Sequence, residues 1–599
     1  MGNYNWNSYD EVIDNLSFNW YLNDYWTVKG QFSVTKKYSK SEKFIDPLSS
    51  KTSVTGSKDN NLAGDLYTTN GESLDWNSNA FLYYTRSFNK QHNLNVSAGW
   101  EAASGTTEST NAHYRGFPSG EFHSLNYAAE VYKKPTRTEN TTRRVSVLAS
   151  ANYTWNDIYL VDASVRFDGS SEFGANQKWA PFFSGGLGVN IHNYDFFKSN
   201  GYINKLKLRA SYGRTGKVNF PAYAATTMYE TLFDEWYITG YGAVLKALGN
   251  KDLTWEKTDK LSVGIETKTF HDRLTVDFEY YYNKTIDLVN DVTLSQTSGF
   301  STYKDNMGQV ANKGVELKLR ADIYRDRNWN VALWGNMAHN KNEILKISDS
   351  QKAYNERVAA YYKNEALYQE TLGLSHGAEY SVPLPQYEEG ASLTSIWAVR
   401  SLGIDPTTGK EIFLNRDGSI ADKWNAAQEV VVGNTEPKCS GAFGLNLSYK
   451  NWTLFASFLY EWGGQEYNQT LVNNVENADL VNKNVDLRVL TDRWKKPGDI
   501  AQFKDIKDRG MTTLPTSRFV QDKALVRLNS LNVSYDFNRD WIKKHLRMNL
   551  LRLEASTSDL INWSSIKQER GLSYPRSWKV EFSLKAPVSY THLRAHETL

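Results

Sequence analysis

A single cysteine, Cys439, stands in 599 residues, which excludes an intrachain disulfide and a cysteine zinc site. Proline is scarce at 13 residues, while Trp, Tyr and Phe number 19, 37 and 26. Disordered chains show the reverse bias, so most of the length must fold. An excess of charge is missing too. Lys and Arg total 69 against 67 Asp and Glu, whereas a nucleic-acid binder needs a basic surplus to displace counterions from phosphates. No apolar run approaches the roughly 18 residues that a membrane-spanning helix needs, and mean hydropathy is −0.59. These absences leave a membrane β-barrel open. Its strands alternate lipid-facing with lumen-facing residues and average to a soluble-looking hydropathy, while Tyr and Trp gather at the interfaces. The opening residues MGNYNWNSYDEVIDNLSFNW carry no basic stretch followed by an apolar segment, so no secretory signal is expected there.

A period of two runs through the chain, and it gives each segment an apolar and a polar face. Tyr159, Val161, Ala163, Val165 and Phe167 oppose Asp162, Ser164, Arg166 and Asp168; Val145 to Trp155 repeats the design with only Leu148 on the wrong face. The rows from Trp26 to Val34, Leu206 to Tyr212, Val315 to Ala321 and Trp452 to Trp462 do the same. Strands are expected at 12–22, 25–36, 73–88, 92–102, 142–155, 158–168, 178–192, 203–213, 254–270, 273–286, 309–322, 329–340, 440–449, 452–463, 524–536, 546–557 and 577–586. A soluble β-sandwich or propeller would alternate too. Its strands usually run about 5 to 6 residues, whereas many of these run about 10 to 14, the length of a tilted strand crossing a bilayer. The apolar rows also tend to end in Trp, Tyr or Phe, as an interfacial girdle requires.

Connections alternate short and long. Asn23-Asp24, Asn89 to Gln91, Asn156-Asp157, His271-Asp272, Ile323 to Asn328 and Lys450-Asn451 are tight, while loops near 37–72, 103–141, 214–253, 341–439 and 464–523 are long. Tight turns on one side and long loops on the other are the asymmetry of an outer-membrane barrel. A short helix is expected within 353–373, and extra strand pairs within 391–416.

The run DIYLVDASVRFDGSSEFGANQKWAPFFSGGLGVNI (157–191) followed by INKLKLRASYGRTGK (203–217) resembles the SusC/RagA family of TonB-dependent outer-membrane transporters. EGASLTSIWAVRSLGIDPTTGKEIF (389–413), LRLEASTSDLINW (551–563) and YPRSWKVEFSLKA (574–586) match in the family's order, so the likeness covers nearly the whole chain. The resemblance implies an all-β fold, a transmembrane antiparallel barrel of 22 strands. It also implies an internal plug, a SusD-like surface lipoprotein as lid, coupling to TonB, outer-membrane lipid around the barrel, and oligosaccharide or peptide as substrate. The location would be the outer membrane of a Gram-negative bacterium. Against 22 strands, 17 are expected in residues 1–586. The expectation is therefore a partial barrel lacking about five leading strands, the plug and the TonB box. The tail PVSYTHLRAHETL (587–599) continues no alternation and is expected to be non-native.

Few residues suggest chemistry. His592 and His596 have the i, i+4 spacing of a metal pair, but no Glu adjoins His592 and both lie in the tail, so the spacing is assigned to chance. GIDPTTGKE (403–411) has five residues between its glycines, and Glu follows Lys410, so it reads as a turn and not as a phosphate loop. No GxSxG, HExxH or dinucleotide fingerprint is present, so no enzyme, cofactor or metal is expected. Asp168 to Ser171 reads as a strand-ending turn. Asp277 and Glu279 share a polar row that any water-filled barrel would show; with Asp162 and Arg166 they are expected on the lumen wall toward the plug. Ligand contact is sought in DEWYITGYGAV (234–244), where Trp236, Tyr237 and Tyr241 could stack on sugar rings or peptide side chains, although loop packing or a lid interface serves equally. Two rival readings remain: a siderophore or cobalamin receptor, a related TonB-dependent transporter without a lid, and a soluble β-rich carbohydrate-binding surface protein.

Overall fold

The computed structural model describes residues 2–586, apart from 50, 52–61, 199–200, 219, 221, 239, 294–301, 307, 349–350, 354, 357–385, 481–484, 508–512, 538, 547, 549 and 567–577. Strands dominate. The first eight are β1 (Tyr4–Tyr21), β2 (Trp26–Ile45), β3 (Asp65–Phe88), β4 (His92–Arg115), β5 (Glu130–Trp155), β6 (Tyr159–Ser170), β7 (Trp179–Asn190) and β8 (Ile203–Lys217). A hairpin of β9 (Met228–Tyr237) and β10 (Gly240–Ala247) precedes β11 (Glu256–Thr269) and β12 (Leu274–Ile286). A second hairpin, β13 (Val289–Thr293) and β14 (Thr302–Asn306), precedes β15 (Gln309–Arg325) and β16 (Trp329–Lys346). Then come β17 (Ser395–Ile404), β18 (Glu411–Leu414), β19 (Ile420–Ala421) and β20 (Glu429–Asn434), which form their own four-stranded sheet. The series closes with β21 (Cys439–Tyr449), β22 (Trp452–Tyr467), β23 (Val520–Asp536), β24 (Arg552–Ser558), β25 (Asn562–Ser564) and β26 (Lys579–Lys585).

Outside the two hairpins and the four-stranded sheet, the strands belong to one 18-stranded sheet. Each of the expected segments has its strand there, and the additional member, β25, is a three-residue stretch that meets β23 beyond β24. The chain divides into two compact units, Met1–Leu187 with Tyr212–Thr258 and Asp287–Asn306, and Gly188–Ser211 with Asp259–Ile286 and Met307–Leu599. In the first, β1 to β6 form an antiparallel meander of sequence neighbours. In the second, β12 pairs with β15, β15 with β16, β16 with β21, β21 with β22, β22 with β23, β23 with β24 and β24 with β26. The tight turns are built as their residues require: Asn156 and Asp157 both take positive φ, 54° and 56°, as a two-residue hairpin turn of the favoured hand does. At Asn23 the side-chain oxygen accepts from the amides of Tyr25 and Trp26, at 2.9 and 3.0 Å.

The apolar rows face outward. Val147, Val165, Phe167 and Leu333 are each about half exposed, and rows of exposed valine and phenylalanine along successive strands exceed what a water-facing monomer tolerates. Several glycines lie directly across a ladder from an aromatic residue, among them Gly30 from Phe18, Gly99 from Phe81, Gly314 from Tyr281 and Gly444 from Trp334. A Cβ at any of these four would come within 2.6 Å of that neighbour's side chain, so the ring occupies the space the glycine leaves open.

Several boundaries differ from the sequence expectation. The loops expected at 37–72 and 103–141 are partly strand, since β2 runs to Ile45, β3 starts at Asp65, β4 runs to Arg115 and β5 starts at Glu130. Stretches such as KKYSKSEK (36–43) carry polar residues on both faces, so alternation cannot report them, yet the backbone ladder continues unbroken through Lys40↔Asn70 and Asn70↔Thr110. Lysine–aromatic contacts add to it, with Lys37 4.4 Å from the Tyr9 ring centre. The region 214–253 holds β9 and β10, 341–439 holds β17 to β20, and strands β8, β16, β22 and β23 reach into their expected loops. The strand expected at 546–557 begins only at Arg552, and Arg539–Leu546 is a helix. Asp540 in its first turn and Lys543, Lys544 and His545 in its last complement the helix dipole, and Ile542 is buried beneath it. The helix expected within 353–373 falls almost wholly outside the described residues, and the tail with His592 and His596 falls wholly outside them.

Candidate functional site

In the first unit the polar faces of β3 to β6 border a cavity of about 770 Å³, lined by Glu101, Arg144, Arg166, Asp168, Glu172 and Trp255 among others. Alternation places its charges: Glu101 stands across from Ser146, and Ser146 across from Asp168. Arg166 organises them. Its Nε donates to Asp168 Oδ1 at 2.5 Å, and its Nη2 donates to Glu101 Oε2 and Ser146 Oγ, both at 2.9 Å. Behind the cavity, Phe173, Phe182, Phe220, Leu253 and Trp255 form a buried apolar cluster, with Phe173 stacked on Trp255 at 4.3 Å. A polar, ion-paired wall on a rigid apolar base suits reversible hydrogen bonding to a polar solute or to another polypeptide. Among the described residues no cluster of metal-ligating side chains is present.

The expected site residues divide among several places. Arg166 belongs to the cavity, and Asp162 lies on the same strand, across from Asn152. Asp277 and Glu279 are brought together by a residue the sequence did not single out: Arg209 Nη2 donates to Asp277 Oδ1 at 2.9 Å and to Glu279 Oε2 at 2.6 Å. Trp236, Tyr237 and Tyr241 meet on the β9–β10 hairpin, where Trp236 is opposite Tyr241 and Tyr237 opposite Gly240. Tyr241 is exposed; the side chains of Trp236 and Tyr237 lie outside the described residues. Arg144, Glu101 and Glu172 were missed, although their positions on the polar parity of β4 and β5 and just past β6 carry the signal.

The long connections of the second unit carry a further charged cluster. Leu471, Val472, Val475, Val489, Phe503 and Phe519 pack together. Beside them Arg518 Nη2 donates to the fully buried Glu476 at 2.7 Å and to Glu411 of β18 at 2.9 Å. Burial would lower the Arg518 pKa, but the two carboxylates outweigh it and hold the guanidinium charged. Arg493, also buried, donates to the carbonyls of Val489, Lys504 and Glu476 at 3.1, 2.9 and 2.9 Å. On β20, burial pushes the Glu429 carboxyl up to about 7, against the opposing effects of a hydrogen bond from Gln386 and the charge of Arg416.

Comparison with known proteins gives one consistent answer. The family described as TonB dependent receptor-like, beta-barrel matches residues 1–553. TonB-dependent receptor P3 of Formosa agariphila is 28% identical over 499 residues, covering 81% of this chain and 48% of the relative. TonB-dependent receptor SusC of Bacteroides thetaiotaomicron is 29% identical over 255 residues, 40% of this chain and 25% of the relative. The chain spans about half the length of the Formosa relatives it matches. Among solved structures, the RagAB peptide transporter superposes with a TM-score of 0.77 at 21% identity, over 94% of this chain and 59% of that one. The RagAB peptide importer in its closed-closed state gives 0.79, also at 21% identity, over 97% and 62%. At that identity the likeness is one of fold.

Proposed function

The chain belongs to the TonB-dependent receptor-like β-barrel family, and from that premise we propose that it is barrel wall of an active outer-membrane transporter for glycans or peptides. The observation that carries the reading is the family match running from residue 1 to residue 553 over a sheet with an exposed apolar face and an ion-paired polar one. The similarity to SusC and to the RagAB peptide importer favours a nutrient polymer fragment as cargo. The barrel would work with a SusD-like lipoprotein that closes over the substrate and with TonB, which supplies the energy. The chain's part is then to bind, to guide and to seal, with no covalent chemistry. Its polar cavity around Arg166 would contact either the solute or a plug, and the β9–β10 hairpin with Trp236, Tyr237 and Tyr241 would meet the solute or the lid.

Deletion of the gene tests this. Uptake of fluorescent oligosaccharides or of fluorescent peptides should fall in the deletion strain and return on complementation, while small sugars that cross through porins should enter unchanged. Unaltered uptake of both classes would remove the proposal. In a complemented strain, Trp236→Ala should raise the concentration for half-maximal uptake if the hairpin meets the solute; an unchanged value would assign the hairpin to packing.

A further inference from the structure

Two adjoining cavities on the second unit have the shape and polarity of an amphiphile. The first, about 460 Å³, is almost wholly apolar and is lined by Phe443, Tyr460, Trp462, Ala524, Val526 and Trp563 among others. The ladders show how it arises. Trp462 of β22 stands directly across from Ala524, and Trp563 of β25 directly across from Val526, so two indoles rise on either side of the small residues of β23. Both indoles are open to the surroundings, Trp462 at 70% and Trp563 at 57% exposure. The Tyr460 hydroxyl donates to the Asn336 carbonyl at 3.0 Å, which fixes that wall.

The second cavity, about 830 Å³, shares Trp462 and Ala524 with the first and is polar, with the cationic Lys341, Lys438 and Lys523, His339, and the carboxylates Glu436 and Asp522 on its wall. A register break between Trp462 and Gly464, with Gly463 at φ 80°, turns the strand away and lays the Lys438 chain beside it. Among the described residues the Lys438 ammonium has no ion-pair partner. Lys523 is held by Glu461 and Glu466 at 3.6 and 3.2 Å. His339 Nδ1 donates to the Lys438 carbonyl at 2.7 Å.

Depth in a membrane follows from the row itself. Trp452 and Trp462 end the same outward-facing row of β22. Ten residues at about 3.3 Å each, tilted by about 40°, rise about 25 Å, the height of the apolar band of an outer-membrane barrel. With Trp452 at the turn side, Trp462 lies at the outer boundary, where acyl chains meet headgroups and aromatic side chains settle.

We propose that this paired site retains one anionic membrane lipid, its acyl chain between Trp462 and Trp563 over Ala524 and its phosphate at Lys438. Apolar area alone would bind any lipid; the unpaired ammonium in the adjoining cavity selects the charged headgroup. The inference rests on the membrane placement above.

The test is native mass spectrometry of the protein purified from outer membranes in detergent, delipidated, and titrated with dioleoyl phosphatidylglycerol or dioleoyl phosphatidylcholine. One phosphatidylglycerol should survive activation that strips the rest. Ala524→Trp, which fills the slot, should weaken its retention by about tenfold, the equivalent of about two methylenes left unburied. Lys438→Glu, a surface change that leaves the fold intact, should abolish the preference for phosphatidylglycerol over phosphatidylcholine. Leu333→Trp, elsewhere on the exposed apolar face, should change nothing. Equal retention by wild type and both site variants overturns the site. A protein missing from the outer-membrane fraction at the first step would instead overturn the membrane placement itself.

Discussion

Arg518 is a charged link between two of the long connections of the second unit. It joins Glu411, 107 positions away, to Glu476, 42 positions away, and so adds a charged link between the 464–523 segment and the β17–β20 sheet to the hydrogen bonds that Val399 N and Trp424 Nε1 donate to the Pro515 carbonyl. Replacing it with alanine strands two buried carboxylates, a change that typically costs about 3–5 kcal/mol. Arg518→Ala should therefore open both segments to protease while the strands of the 18-stranded sheet stay protected; equal cleavage of wild type and variant would show that the cluster is dispensable. Glu429 gives a pH signature. Its pKa rises from 4.5 unfolded to about 7 folded because burial disfavours the charge. The folded state thus holds the proton more tightly, and the stabilisation is complete below 4.5 and lost as pH climbs through about 7. Protection of the β17 to β20 amides, taken relative to their intrinsic exchange rate at each pH, should be higher at pH 5 than at pH 8, and Glu429→Gln should flatten that difference.

At the level of strands and turns, glycines opposite rings are the points least tolerant of change. Gly99→Val would drive a branched side chain into Phe81 and the Ala80 carbonyl, an overpacking that commonly costs about 1–3 kcal/mol. The variant should lose its heat-modifiable mobility on gel electrophoresis at a lower temperature than wild type, whereas Val147→Leu on the exposed face should not. The strands were legible because half of each is an apolar row, and the turns because Asn156-Asp157 and its counterparts accept positive φ. The outer parts of β2 to β5 were not, since a strand with polar residues on both faces leaves no periodic trace. The Arg539–Leu546 helix was missed because its eight residues fall almost wholly in the short connection between two expected strands, too few for a helical period to show. Charge pairs within a face, such as Arg166 with Asp168, were visible in the row; Arg209 with Asp277 and Glu279, and Arg518 with its carboxylates, depend on which distant strands become neighbours, and one sequence does not state that.

For the whole molecule, the membrane reading fixes which ends face outward. Cysteine introduced at Arg137, exposed in the outer part of β5, should react with a membrane-impermeant maleimide on intact cells in a Cys439→Ser background. Cysteine at Asn156, in a tight turn, should react only after permeabilisation. The reverse pattern would invert the barrel, and labelling of both on intact cells would remove it from the membrane. The paired glycines and rings also bear on how so large a sheet reaches one arrangement. A slip of one residue exchanges the faces and is rejected by the lipid, but a slip of two keeps every apolar residue outward and passes that check. It would carry Phe81 from Gly99 to Ser97 or Glu101, and Phe18 from Gly30 to Phe32 or Val28, where the space for the ring is gone. The glycines therefore act as proofreading marks during assembly, rejecting the misalignment that hydrophobic patterning alone would let through.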